Sequence, residues 1–460
     1  MNKTRLATGV LALAVGASGV TLAVLGPEAD VEHPAPSTVE GTARAVSLAC
    51  PPDFEKTMGE MTAGIGGEDS DTLLRTRIAV VSGGEATLLD NTIEEGEGEI
   101  RTFFEGGSYA GELRVEPGDE PALASGASQR LQETGELAGM AITPCIAPTN
   151  AQYLVGGSTS ASSSAQLVLT NVSGSPATVS VTVHTSTGTA GPNILSSTTV
   201  DAYSSETLLV EAGVRDPRLT IEVTSTGGDI AAHLLTHEVD GITGAGIEAV
   251  TPGAAPSDHV VIPGANLAGE DTVTLRVANP NTESATFSIS SITSEGEEQV
   301  PGSQDVTLAP GTVLDLSMDG LPGDWSALVV DSDSPVLAAA RVDASGDYAW
   351  LSSTEPLSEG AVTIPESESH LTLFSEEDTT ATVTFYGRRG DVVDSTTVSV
   401  SPLAQITAPE DASHAVIESE GEVHVGILST ADLNSIVGIA GQSLTPAPAG
   451  SADLTLQVNN

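Results

Sequence analysis

Thr274-Leu-Arg-Val-Ala-Asn279, a polar break, and then Glu283-Ser-Ala-Thr-Phe-Ser-Ile289 is the stretch on which the fold turns. Both runs alternate apolar and polar side chains, the period of a half-buried strand, and the short break between them predicts a hairpin. The same pair occurs twice more. Gln166-Leu-Val-Leu-Thr-Asn171 precedes Ser175-Pro-Ala-Thr-Val-Ser-Val181, and His370-Leu-Thr-Leu-Phe374 precedes Thr379-Thr-Ala-Thr-Val-Thr-Phe385. Ala177, Ala285 and Ala381, the shared alanines, are 108 and 96 residues apart. Each hairpin is followed by further apolar runs, such as Ala327-Leu-Val-Val330 and then Val336-Leu-Ala-Ala-Ala340. Six or seven short strands per hundred or so residues, with hardly any helical periodicity, predict an all-β chain of tandem immunoglobulin-like β-sandwich modules. A β-propeller is the alternative, with each repeat then supplying two blades.

Working outward, the repeats occupy 151–262, 263–369 and 370–460, and a less regular β module fills 46–150. Residues 26–45, with Pro27, Pro34 and Pro36 among polar side chains, read as an extended linker. Before it, Leu6 to Leu25 is uncharged and long enough to cross a bilayer as a helix. Lys3 and Arg5 precede this run while Glu28, Asp30 and Glu32 follow it, so the positive-inside rule puts the amino terminus in the cytoplasm and the rest outside. The expectation is a signal-anchor over 1–25 holding the chain on the cytoplasmic membrane through residues 6–25, or a secreted product. Ala43-Arg44-Ala45, the best cleavage site, lies far downstream of the apolar run, which favours the anchor. Cys50 and Cys145 are the only cysteines. In an oxidising compartment they predict one disulfide that closes the first module, with two buried thiols as the other reading.

The chain carries 63 acidic and 15 basic residues, a net charge of −48. Nucleic acid is excluded as a partner, because binding a phosphate backbone depends on Lys and Arg displacing its counterions. Aromatic residues make up 3%, so the cores must be filled with Val, Ile, Leu and Ala.

Thr143-Pro-Cys-Ile-Ala-Pro148 leading into Gln152-Tyr-Leu-Val-Gly-Gly-Ser158, together with Cys50-Pro51, resembles a family of secreted or membrane-anchored actinobacterial proteins of unknown function. In that family one amino-terminal hydrophobic segment precedes a Cys-Pro element, and a Pro-Cys element leads into Leu-Val-Gly-Gly and immunoglobulin-like repeats. The resemblance implies a cell-envelope setting and no catalytic residues. Pro52 where glycine is expected and Val172 where proline is usual are departures that affect turn detail.

Several constellations invite a chemical reading and do not sustain one. His233 and His237 would share a face of a helix, but on a strand they stand roughly 13 Å apart, too far for one zinc. Asp331 with Asp333, and Asp343 with Asp347, lack the calcium-loop frame and read as polar turns. Gly241-Ile-Thr-Gly244-Ala-Gly246 does not open a helix as a phosphate cradle would, and Trp325 and Trp350 read as core rather than as a sugar platform. No nucleophile elbow is present, and 63 acidic residues make any choice of a glycosidase pair arbitrary. The expectation is therefore a non-catalytic protein with no cofactor and no metal site. It binds or scaffolds an envelope protein or polysaccharide; the alternative is an accessory subunit or enzyme acting on cell-wall glycan.

Overall fold

The computed structural model describes residues 37–39, 45–57, 72–446 apart from 90, 95, 97, 242, 267–271 and 319–324, and 454–456. Two bodies are distinguished. The first comprises residues 1–42 with 451–460, in which Ser37–Val39 pairs antiparallel with Leu454–Leu456. That strand falls inside the expected linker: Thr38 opposite Thr455 gives the segment a hydrogen-bonded partner that no apolar pattern announces. The segment 6–25 lies outside the described residues. Among the described residues no helix is long and apolar enough to cross a membrane.

The second body, residues 43–450, consists of four β units. The first holds β1 (Val46–Cys50), β2 (Leu73–Ser82), β3 (Ala86–Leu88), β4 (Arg101–Gly106), β5 (Gly111–Val115), β6 (Leu123–Gln132) and β7 (Gly139–Pro144). The second holds β8 (Ala151–Val155), β9 (Ser163–Asn171), β10 (Ala177–Thr185), β11 (Ser204–Leu209), β12 (Thr220–Thr226), β13 (Ala231–Asp240) and β14 (Thr243–Val250). In the third are β15 (Ser257–Asn266), β16 (Thr272–Ala278), β17 (Ala285–Thr293), β18 (Val313–Ser317), β19 (Trp325–Ala344) and β20 (Asp347–Ser352). In the fourth are β21 (Leu357–Thr363), β22 (Glu368–Phe374), β23 (Thr379–Tyr386), β24 (Leu403–Thr407), β25 (His414–Asp432) and β26 (Val437–Ser443).

All four share one topology, and the second unit shows it plainly. One sheet places β12 between β8 and β10; the other runs β11, β9, β13, β14, and every pairing is antiparallel. In the third and fourth units the strands equivalent to β12 and β13 are fused into β19 and β25, which leave one sheet and enter the other. Pro335 sits at that crossing in β19, between the ladders of the two sheets, where its missing N–H is not needed. The two sheets enclose cores of Val, Leu, Ile and Ala, with Phe287 and Phe385 as the largest aromatic fill on β17 and β23. Ala177, Ala285 and Ala381 are fully buried at or near the starts of their strands.

The tandem immunoglobulin expectation is corrected in two respects. In that fold the second strand pairs with the fifth and the third with the sixth. Here the second lies beside the sixth and the third beside the fifth, so the central partners are exchanged. Nor do the units stand in line. The last strand of each packs against those of its two neighbours, β7 with β14 and β26, and β20 with β14 and β26, giving a four-bladed, propeller-like ring. Each blade is one two-sheet unit, so a repeat supplies one blade rather than two. Because the first strand of a blade pairs within that blade, the third begins at Ser257 and the fourth at Leu357, ahead of the 263 and 370 boundaries drawn from the hairpins.

Candidate functional site: a carboxylate axis and two surface clefts

The innermost strands β7, β14, β20 and β26 are edge strands, each paired on one side only among the described residues. Their free edges present alternate N–H groups to the middle of the ring, where leaving one unmet costs about 1–3 kcal/mol. One side chain meets a whole tier of them. Asp347 accepts from Met140 N through Oδ2 at 2.7 Å, from Ile439 N through Oδ2 at 3.0 Å and from Ile247 N through Oδ1 at 3.0 Å. With its bond to the Tyr348 N–H, this carboxylate touches all four blades. The residues just before the four donors are Gly139, Gly246, Asp347 and Gly438. A Cβ on Gly139 or on Gly246 would lie 2.7 Å from Asp347 Oδ1, so these two glycines leave room that the aspartate fills, while a Cβ on Gly438 would meet Met140 and Leu433.

The next tier repeats the device with a different blade as donor of the acid. Glu248 on β14 accepts from Ala249 N at 2.8 Å, Trp350 N at 3.2 Å and Gly441 N at 3.3 Å. Its counterparts on the other inner strands are Ala141, Ala349 and Ala440, all buried. Burial pushes the Asp347 carboxyl up to about 8, against the pull of its backbone donors, and raises Glu248 well above the usual carboxylate range for the same reason.

The blades are also joined pairwise by polar contacts. Arg276 Nη1 donates to the Gly157 carbonyl at 2.7 Å while its guanidinium lies 4.6 Å from the Trp350 ring centroid and pairs with Asp315. Arg341 makes two bonds to Glu238, at 2.7 and 3.0 Å, and covers Tyr348. His233, fully buried, bonds the Pro144 carbonyl at 2.8 Å, and desolvation lowers its pKa to about 4. His237 faces Glu136 at 3.2 Å. The two histidines thus serve the junction of the first two blades and do not converge.

The other sequence candidates are scattered. The disulfide joins Cys50 at the end of β1 to Cys145 just after β7, inside the first core. Asp331 pairs with His259 at 2.7 Å, Asp333 accepts the Thr286 N–H at 2.8 Å, and Asp343 pairs with Arg341. Asp347, expected in a polar turn, is the hub of the ring instead; its neighbour Gly346 makes the turn and frees the aspartate to point inward (φ +88°). Trp350 is core, and the side chain of Trp325 lies outside the described residues. Gly246, from the glycine-rich run read as no phosphate cradle, is on β14 with φ +121° against Tyr348. Among the described residues no three His, Cys, Asp or Glu side chains are grouped to hold a metal ion.

Two clefts open to solvent. One, of about 960 Å³, is lined by Glu376, Glu377, Asp378, Glu420, Glu422 and His424 and is strongly acidic. His259 stands beside it, its Nε2 2.9 Å from Glu376. The other, of about 710 Å³, brings Gly98 of the first blade to Glu366, Arg388, Arg389, Asp391 and Glu410 of the fourth.

Residues 105–407 match the family of unknown function DUF5719. The chain belongs to that family. The match runs from β4 to β24 and so takes in parts of all four blades of this DUF5719 protein. No curated protein matches it. Among solved structures it is similar to a Streptomyces avermitilis α-L-rhamnosidase complexed with L-rhamnose, at 8% identity over 89% of this chain and 55% of that one, with a TM-score of 0.13. The chain thus spans about half the length of that enzyme. It is also similar to the BSP domain of a biofilm-associated protein, at 10% identity over 92% of this chain and 99% of that one, with a TM-score of 0.12. Likenesses this slight carry nothing over to the DUF5719 chain.

Proposed function

We propose that this DUF5719 protein is a non-catalytic, extracytoplasmic component of the cell envelope, anchored through residues 6–25 or secreted, whose four-bladed body is a rigid scaffold for an envelope protein or polysaccharide. The observation that carries the reading is the fate of its most perturbed carboxylates. Displaced acidity in an open cleft would be the mark of general acid chemistry. Asp347 and Glu248 are instead sealed inside the ring with their oxygens committed to backbone N–H groups. The disulfide supports an oxidising compartment, and the Cys-Pro and Leu-Val-Gly-Gly resemblance to actinobacterial envelope proteins supports the setting. The five carboxylates of the acidic cleft suit a cationic or hydroxyl-rich surface and repel an anionic one.

The test is crosslinking of the intact protein in cells, followed by mass spectrometry of what is captured, with the 1–45 deletion as control. Recovery of one envelope protein supports the scaffold. Glycan fragments without protein would bring forward the accessory role on cell-wall glycan, and turnover abolished by a single Asp or Glu substitution would sink the non-catalytic reading.

A further inference from the structure

One sheet of the fourth blade ends on an edge unlike those of the other three. The strand Val392–Val400 is 9 residues long and, among the described residues, pairs on one side only, with β23. In the other blades the strands in this place are cut short: Asn91–Thr92 in the first, Gly188–Thr189 and Ser197–Val200 in the second, Gly296–Gln299 and Val306–Leu308 in the third. Short pieces, Lys, Pro and bulges are the usual guards of a sheet edge. Val392-Val-Asp-Ser-Thr-Thr-Val-Ser-Val400 holds no Lys or Pro and a single charge, at Asp394, and its one register shift lies at the hairpin end, between Val392 and Asp394. Its solvent-side hydroxyls are held in step with those of β23, Thr397 with Thr382 at 3.0 Å and Ser395 with Thr384 at 3.1 Å. Every second residue of such a strand turns its N–H and C=O to the open side, a regular row that another strand can meet. The row runs into the acidic cleft: Ser399 and Ser401, at the end of the strand, line it together with the five carboxylates, and no Lys or Arg does. His424, 8% exposed, shares that lining. Its Nδ1 donates to the Thr354 carbonyl at 2.9 Å, which leaves Nε2 of the neutral ring as an acceptor.

We propose that this edge and the cleft at its end form one docking site for an extended segment of a partner protein that carries Lys or Arg, adds a strand beside Val392–Val400 and places its cationic side chains in the cleft. Backbone pairing supplies affinity that tolerates sequence, and the carboxylates with Nε2 of His424 select for cationic donors. A second copy of this chain is the poorer occupant, since each copy carries a net charge of −48 and the two repel. The inference rests on the scaffold reading above and gives the chemistry of its protein partner.

Fluorescence anisotropy of the full, disulfide-intact chain with the labelled peptide Lys-Lys-Thr-Val-Thr-Val-Thr-Lys-Lys tests it, because lysines at both ends reach the cleft in either strand direction. Saturable binding is expected, with amides of 392–400 gaining protection from hydrogen exchange. Replacing the lysines of the peptide by glutamate should abolish binding, and replacing its central threonine by proline, at unchanged charge, should weaken binding by about tenfold or more. Glu377→Gln with Glu420→Gln, exposed side chains without a described hydrogen bond or ion pair, should weaken it by about three- to tenfold and leave the melting temperature in place. No binding of the lysine peptide, equal binding of the glutamate peptide, or binding that protects no amide of 392–400 overturns the proposal. A dimer in sedimentation, with those amides already protected in the free chain, would give the edge to a second copy and overturn it equally. In-cell crosslinking scores the scaffold reading separately: an envelope protein recovered without peptide binding removes this docking site alone, whereas glycan recovered in place of protein overturns that reading and this inference together.

Discussion

Asp347 combines two demands that ordinarily conflict: it is buried, and both its oxygens accept backbone N–H groups from other blades. Asparagine has nearly its shape but only one acceptor oxygen, and would turn an NH₂ toward donors. Asp347→Asn is expected to cost about 2–4 kcal/mol, read by denaturant unfolding as a lower midpoint at unchanged slope. The pH dependence follows from the direction of each shift. Asp347 is raised from 3.8 to about 8, so between those values the folded chain binds the proton that the unfolded chain releases, and stability falls as pH rises through that window. His233 and His414 are lowered from 6.5 to about 4 and about 3 by burial, so the unfolded chain holds their protons and stability falls as pH drops below 6.5. Melting temperature should therefore decline from pH 6.5 toward 9, where these histidines no longer titrate. Asp347→Asn should make that limb shallower, Glu248 supplying the remainder, and leave the acid limb in place; an unchanged alkaline slope in the variant would refute the assignment.

At the scale of the element, the strands were legible and their connections were not. Alternation in Thr274–Asn279 and Glu283–Ile289 announces β16 and β17 because one face of each is buried in its own blade. The inner strands gave no such signal. Gly139 and Gly246 look like turn residues, and the groups opposite them, Asp347 with Ile247 at the first and with Tyr348 at the second, explain why a side chain is excluded there. Asp347 itself looked like a loop residue because its acceptors are used by strands some 90 to 210 residues away, a distance over which no local pattern acts. The fusion of two strands into β19 was likewise hidden, since Asp331-Ser-Asp-Ser-Pro335 reads as a turn between runs. Gly246→Ala should destabilise strongly, by about 2 kcal/mol or more, because its Cβ meets Tyr348 and Asp347 at a φ that disfavours a side chain. Removing the disulfide by Cys50→Ala with Cys145→Ala is expected to cost about 2–5 kcal/mol, the range for closing a long loop, measured by thermal unfolding of the pair against the parent.

For the whole molecule, the ring and the row of beads make opposite statements about cooperativity. Independent modules in line would melt separately. Four blades whose inner strands share Asp347 and Glu248 should unfold in one transition, with calorimetric and van't Hoff enthalpies in agreement for the 43–450 body; several resolved transitions would argue against coupling through the axis. Chelator should leave that transition where it is, since Asp343 and Asp347 are engaged by Arg341 and by the backbone. The acidic surface was legible as a number but not as a place: five carboxylates of the fourth blade gather at one cleft, and four more stand with Arg388 and Arg389 at the other. The uneven sharing of the axis has a consequence for ancestry. The repeats look like copies of one another, yet a copy of the third blade set in the place of the second would bring two aspartates into one tier and remove the glutamate from the next. Blade order is therefore written into the chemistry of the axis: blades alike in sequence pattern are not interchangeable, because a ring closed around a single acid needs one position in the tier to differ from the other three.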